Sequence, residues 1–74
     1  MYWKIKPKLI SKVEMYRKKS GLTQAALADK SLVTRQTIIA LEKGDYVPSV
    51  ALALKISKIL GVSVEKLIQL KEDL

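Results

Sequence analysis

The chain has 74 residues with 14 Lys and Arg against 7 Asp and Glu, a net charge of +7, and neither cysteine nor histidine. A domain of this size buries only about 60% of the surface its unfolded chain exposes, so its stability must come from helix packing or from a second copy. Disulfides, Cys/His zinc sites and thiol or imidazole catalysis lack their residues, as does a glycine-rich phosphate loop. The composition therefore implies no enzyme and no cofactor or metal, and the short length, with no room for a separate effector domain, makes no small-molecule ligand the expectation.

The longest apolar stretch, Val50 to Val64, is interrupted by Lys55, Ser57 and Lys58, well before the ~20 residues of a membrane span. The lysines near the N-terminus are not followed by an apolar signal core. A cytoplasmic protein with no membrane partner is the expectation. The charge is uneven. Lys4, Lys6, Lys8, Lys12, Arg17, Lys18 and Lys19 face Glu14 alone in the first twenty residues, whereas the last thirty balance. Such a basic flank suits a polyanion, against the plainer reading of a solvated lysine-rich face.

In chain order, residues 2–6 alternate as a strand does and Pro7 closes them, which predicts a short β-strand or a basic arm. From Lys8 to Ser20 the residues Leu9, Ile10, Val13 and Tyr16 form one helical stripe that Gly21 stops. Arg17 falls within that stripe, where a cation needs a partner. Thr23 is an N-cap for a helix from Gln24 to Lys30 with Leu27 and Ala28 inward, and Ser31, Leu32 and Val33 make a short connection. Thr34 then caps a helix running to Gly44. At 100° per residue it turns Thr34, Ile38 and Leu41 to one side and Gln36, Ile39, Ala40 and Lys43 to the other, with Arg35 at the shoulder. Two short helices joined by about three residues form a helix-turn-helix unit. An outer face of amide, cation and small apolar groups suits base-pair edges.

Asp45 to Pro48 reads as a loop. Ser49 caps a fourth helix to Leu60 with Leu52, Ala53, Ile56, Ile59 and Leu60 inward, and Ser63 caps a fifth from Val64 to about Leu70 with Leu67 and Ile68 inward. The predicted fold is a compact all-α five-helix domain over residues 9–70, preceded by a strand or arm at 1–8 and followed by a frayed end at 71–74. Glu42 lies about 40° from Ile38 on the inner side of the third helix, and Arg17 lies on the inner side of the first. These two are predicted to form a partly buried salt bridge.

The segments GLTQAALADK, VTRQTIIALEKG and YVPSVALALKISKILGVSVEKLI resemble the phage-repressor-like helix-turn-helix regulators of the Xre and Cro class, over roughly residues 9 to 70. The resemblance implies double-stranded DNA as partner. It implies base reading by Thr34, Arg35, Gln36, Ile39 and Ala40, a Gln24 that contacts a phosphate and buttresses the recognition helix, and backbone contacts from Lys43, Gly44 and Tyr46, to which the basic flank adds Lys18 and Lys19 as phosphate contacts. Arg17 and Glu42 match an arginine and glutamate pair of that family. The turn departs from its pattern, since Ser31 and Leu32 replace an apolar residue and a glycine. The expectation here is that Leu32 turns inward to fill the position Ser31 leaves empty.

Function is expected to be that of a homodimeric, sequence-specific transcriptional regulator, a repressor on a pseudo-palindromic operator. The alternative is an antitoxin or other interaction module that also binds DNA. Apolar groups beyond what one small core hides, namely Trp3, Ile5, Leu67, Ile68, Leu70 and Leu74, are assigned to the dimer interface, with the two chain ends meeting near its axis.

Overall fold

The computed structural model describes residues 7–71. Five helices and a two-stranded antiparallel sheet follow one another as β1 (Lys8–Ser11), α1 (Val13–Lys19), α2 (Gln24–Ser31), α3 (Arg35–Lys43), α4 (Val50–Leu60), α5 (Val64–Leu67) and β2 (Ile68–Lys71). The five predicted helices are present, and the sheet adds to them. Leu9 and Ile10 form a strand and not the first turn of a helix, and the last helix ends at Leu67, short of the expected Leu70. Both differences have one cause. Lys8 pairs with Lys71, Leu9 with Leu70, Ile10 with Gln69 and Ser11 with Ile68. Four-residue segments with two apolar residues each fit helix or strand equally well, and here a partner from the other end of the described chain decides. The strand predicted at residues 2–6 lies outside the described residues.

Local chemistry sets the helix ends. The Thr23 side chain accepts from Ala26 N–H at 3.0 Å, Thr34 from Thr37 N–H at 3.3 Å and Ser49 from Leu52 N–H at 3.1 Å. Each satisfies a first-turn donor that the helix itself leaves open. Val13, Leu27, Ala28, Ile38, Leu41, Leu52, Ile56, Leu60 and Leu67 make one buried core, so every helix contributes to it. Val33, Tyr46, Ile59 and Ile68 pack against its edge. The core fixes α2 against α3 and leaves the outer side of α3 open.

The turn between α2 and α3 corrects the sequence reading. Leu32 takes φ 60° and ψ 39°, the left-handed conformation, and its side chain is 80% exposed. It does not turn inward. Ser31 keeps the inner position itself at 2% exposure, and its hydroxyl has no hydrogen-bond partner among the described residues. The backbone geometry accounts for this. Leu32 N–H bonds to Asp29 C=O and Val33 N–H to Ala28 C=O, a left-handed helix stop that satisfies two free carbonyls. Val33 is the residue such a stop sends back to the core. With the left-handed position fixed by those two bonds, the Leu32 side chain can only point to solvent.

Candidate nucleic-acid interface

Arg35 is the first residue of α3, and Thr34, Arg35 and Gln36 are all exposed around the start of that helix. Ile39 and Ala40, further along, are half-buried, and Lys43 in the last turn is exposed. The face therefore has a polar, open beginning and a partly sheltered apolar middle. Thr37, which sequence reasoning did not single out, has its hydroxyl 3.1 Å from that of Thr34 and holds the cap in place.

Behind this face lies a polar cluster. The Arg17 guanidinium donates from Nε to Glu42 Oε2 at 2.6 Å, from Nη2 to Glu42 Oε1 at 3.3 Å and from Nη1 to Leu22 C=O at 2.9 Å. The two side chains are 9% and 3% exposed. One guanidinium thus ties the end of α1, the loop before α2 and the last turn of α3 together, and the bidentate geometry is the strong form of such a pair. Its hydrogen bond to the Glu42 carboxylate raises the Arg17 pKa above its ordinary value against the opposing effect of burial, so the group stays charged. The angular argument from sequence anticipated this pair. It did not anticipate Gln24, whose Nε2 donates to Glu42 Oε1 at 3.0 Å while its Oε1 accepts from Arg35 Nη2 at 3.3 Å. The family resemblance did point to Gln24, as a buttress of this helix, but not to the two partners it has here.

The remaining sequence-derived site residues fall in different settings. Lys18 and Lys19 are exposed on α1, the first 2.9 Å from Glu14 and the second 5.6 Å over the Tyr16 ring. Tyr46 is half-buried against the core. Gly44 ends α3 at φ 80°, its N–H bonded to Leu41 C=O and its C=O accepting from Leu9 N–H at 3.5 Å. Both of its backbone groups are engaged within the fold, and a Cβ there would clash with the Leu9 carbonyl oxygen. Its place is that of a contact between α3 and β1. Of the residues assigned to a dimer interface, Leu67 belongs to the core at 2% exposure, Ile68 is half-buried on its edge and Leu70 is exposed. Trp3, Ile5 and Leu74 lie outside the described residues.

An exposed reading face at the start of the second of two helices set by a tight turn is the arrangement through which helix-turn-helix proteins approach DNA. Residues 13–67 match the helix-turn-helix family. The chain belongs to that family. This helix-turn-helix protein is 49% identical over 63 residues to an uncharacterized HTH-type transcriptional regulator of Methanocaldococcus jannaschii, MJ0272, covering 85% of this chain and 96% of that one. It is 46% identical over 63 residues to another, YgzD of Bacillus subtilis, with the same coverage. Among solved structures it is similar to the N-terminal DNA-binding domain of SinR from Bacillus subtilis. The TM-score is 0.66 at 31% identity, over 73% of this chain and 80% of that one. The restriction-modification controller protein C.AhdI from Aeromonas hydrophila gives 0.66 at 26% identity, over 73% and 82%. The helix-turn-helix protein is a DNA-binding transcriptional regulator, and its relatives are regulators, not enzymes. No helix among the described residues is long and apolar enough to cross a membrane.

Proposed function

We propose that the protein is a repressor that binds a pseudo-palindromic operator as a homodimer, with one α3 helix in each of two successive major grooves. The observation that carries this reading is the exposed start of α3, where Arg35 and Gln36 stand free of the core on a helix clamped by Arg17 and Glu42. Arg35 and Gln36 are the base-edge donors, Thr34 borders them, and Ile39 and Ala40 meet thymine methyl groups. Gln24, Lys43, Lys18, Lys19 and Tyr46 supply phosphate and backbone contacts that set register without reading sequence. The likeness to a domain of SinR whose name states DNA binding supports this use of the face.

Dimerisation follows from the symmetry of such operators and from surface the single domain leaves uncovered. Val50 and Leu54, one turn apart on α4, are 76% and 58% exposed, and Leu70 is 56% exposed. Selection from a random duplex pool tests the whole reading. A two-fold symmetric site with half-sites about 10–10.5 bp apart is the expected result. A single asymmetric half-site, or no enrichment, would overturn it.

A further inference from the structure

We propose that Glu42 is a positioning residue for base reading, and that it acts on Arg35 through the side-chain amide of Gln24. The inference rests on the reading of Arg35 as a base contact. Arg35 and Glu42 stand at opposite ends of α3, about two helical turns apart, too far for direct contact. Gln24 comes from α2 and spans the gap, with one end of its amide 3.0 Å from Glu42 and the other 3.3 Å from Arg35.

The polarity of the bridge follows from which groups can donate. A carboxylate only accepts, a guanidinium only donates, and an amide does each at a different end. Glu42, held by two Arg17 bonds, can receive only the Nε2 end of Gln24. That choice leaves Oε1 facing Arg35, the only orientation in which the arginine finds an acceptor there. The buried carboxylate thus selects the amide rotamer, and the amide places the guanidinium before DNA arrives. If position 42 offered a donor instead, Gln24 would turn over and present its own N–H₂ group to Arg35, donor against donor. The clamp between α1 and α3 and the reading end of α3 are one connected set of bonds.

Random-pool selection with the full chain and duplex DNA tests this, run on the native protein, Arg35→Ala, Gln24→Leu, Glu42→Gln and the double variant Gln24→Glu with Glu42→Gln. Arg35→Ala identifies the base pair that Arg35 reads. At that base pair Gln24→Leu and Glu42→Gln are expected to lose about 2- to 10-fold in discrimination, the range of one modest hydrogen bond, with discrimination at other positions unchanged even though loss of the Gln24 phosphate contact lowers affinity for every sequence alike. The double variant restores the order of donors and acceptors, because an amide at 42 donates to a carboxylate at 24 that accepts from Arg35. It is expected to recover the preference at that base pair even if the added charge lowers affinity for every sequence. Gln24→Leu leaves the Arg17 clamp in place and carries the test if Glu42→Gln does not fold. Equal loss at all positions, or unchanged discrimination at the Arg35 base pair in Gln24→Leu and Glu42→Gln, would overturn the relay and leave Arg35 as a reader. An Arg35→Ala protein with unaltered preference would remove the base contact itself, and the relay with it.

Discussion

Leu32 and Ser31 each break a local rule inside the turn that sets the reading helix. A side chain in the left-handed region costs about 1–2 kcal/mol, and Leu32 bears that cost with its side chain in water. Leu32→Gly is therefore expected to stabilise the fold by about 0.5–1 kcal/mol, part of the relief being offset by the extra freedom of glycine in the unfolded chain. A shift in the urea midpoint at constant slope would measure it, and a destabilised variant would mean that Leu32 makes a contact that outweighs the strain. Ser31 desolvates a hydroxyl without compensation, so Ser31→Ala should be neutral or stabilising by up to about 1 kcal/mol in the same experiment. Arg17 is the opposite case. All three guanidinium nitrogens are engaged, and removing it would leave the Glu42 carboxylate buried with only the Gln24 amide. Arg17→Met should cost about 3–5 kcal/mol. Because its hydrogen bond to Glu42 raises the already strongly basic Arg17 further, its contribution is fully present at neutral pH and is lost only as the pH rises through that raised value. Glu14 behaves in the other direction. Its hydrogen bond to Lys18 holds the carboxyl below the usual carboxylate range, so its contribution is present at neutral pH and fades as the pH falls through that lowered value, weakened throughout by solvent screening.

At the level of elements, what the sequence made legible was what depends on helical angle alone. Gly21 and Gly44, with Thr23, Thr34 and Ser49, marked helix ends, and the inward placement of Arg17 and Glu42 followed from one turn angle applied to two helices. The sheet was not legible, because Leu9 and Ile10 match a helical stripe as well as a strand and only the distant segment Ile68–Lys71 settles the matter. The resemblance marked Gln24 as a buttress of α3, but the partners of its bridge, Glu42 and Arg35, were not legible for a related reason: they depend on the separation of α2 and α3 and on a side-chain rotamer, neither of which periodicity encodes. Gly44 shows the two kinds of information meeting. As the stop of α3 it was readable, whereas the close approach of the Leu9 carbonyl was not. Gly44→Ala is expected to cost more than the ~1–3 kcal/mol of a strained left-handed residue, since β1 must also move away. Hydrogen exchange should show the amides of β1 losing protection before those of α2 in that variant. Retained protection in β1 would mean the strand does not depend on this approach.

For the molecule as a whole, charge and uncovered apolar surface decide its behaviour in solution. With a net charge of +7, affinity for DNA should fall steeply with salt, and Lys43→Ala should weaken all sequences alike while reducing the slope of log K against log salt by about 0.9. An unchanged slope would place Lys43 away from the phosphates. The proposed homodimer would bury Val50 and Leu54 between its two copies, which predicts that Leu54→Glu sediments as a monomer and loses cooperative binding to a two-half-site duplex, with its helical content intact. A dimeric Leu54→Glu would move the contact to another face, such as the one that carries the exposed Leu70. The sheet bears on a different property, the response to force. Lys8 faces Lys71 at the outermost rung among the described residues, two like charges directly opposite each other. Tension applied between those residues acts across the ladder, not along it, and opens it one rung at a time from the repelling pair inward. The domain should therefore yield at low load by peeling β1 and β2 apart, with Gly44 losing its contact with Leu9 next, so that the end of the reading helix is released before the core of α2, α3 and α4 gives way.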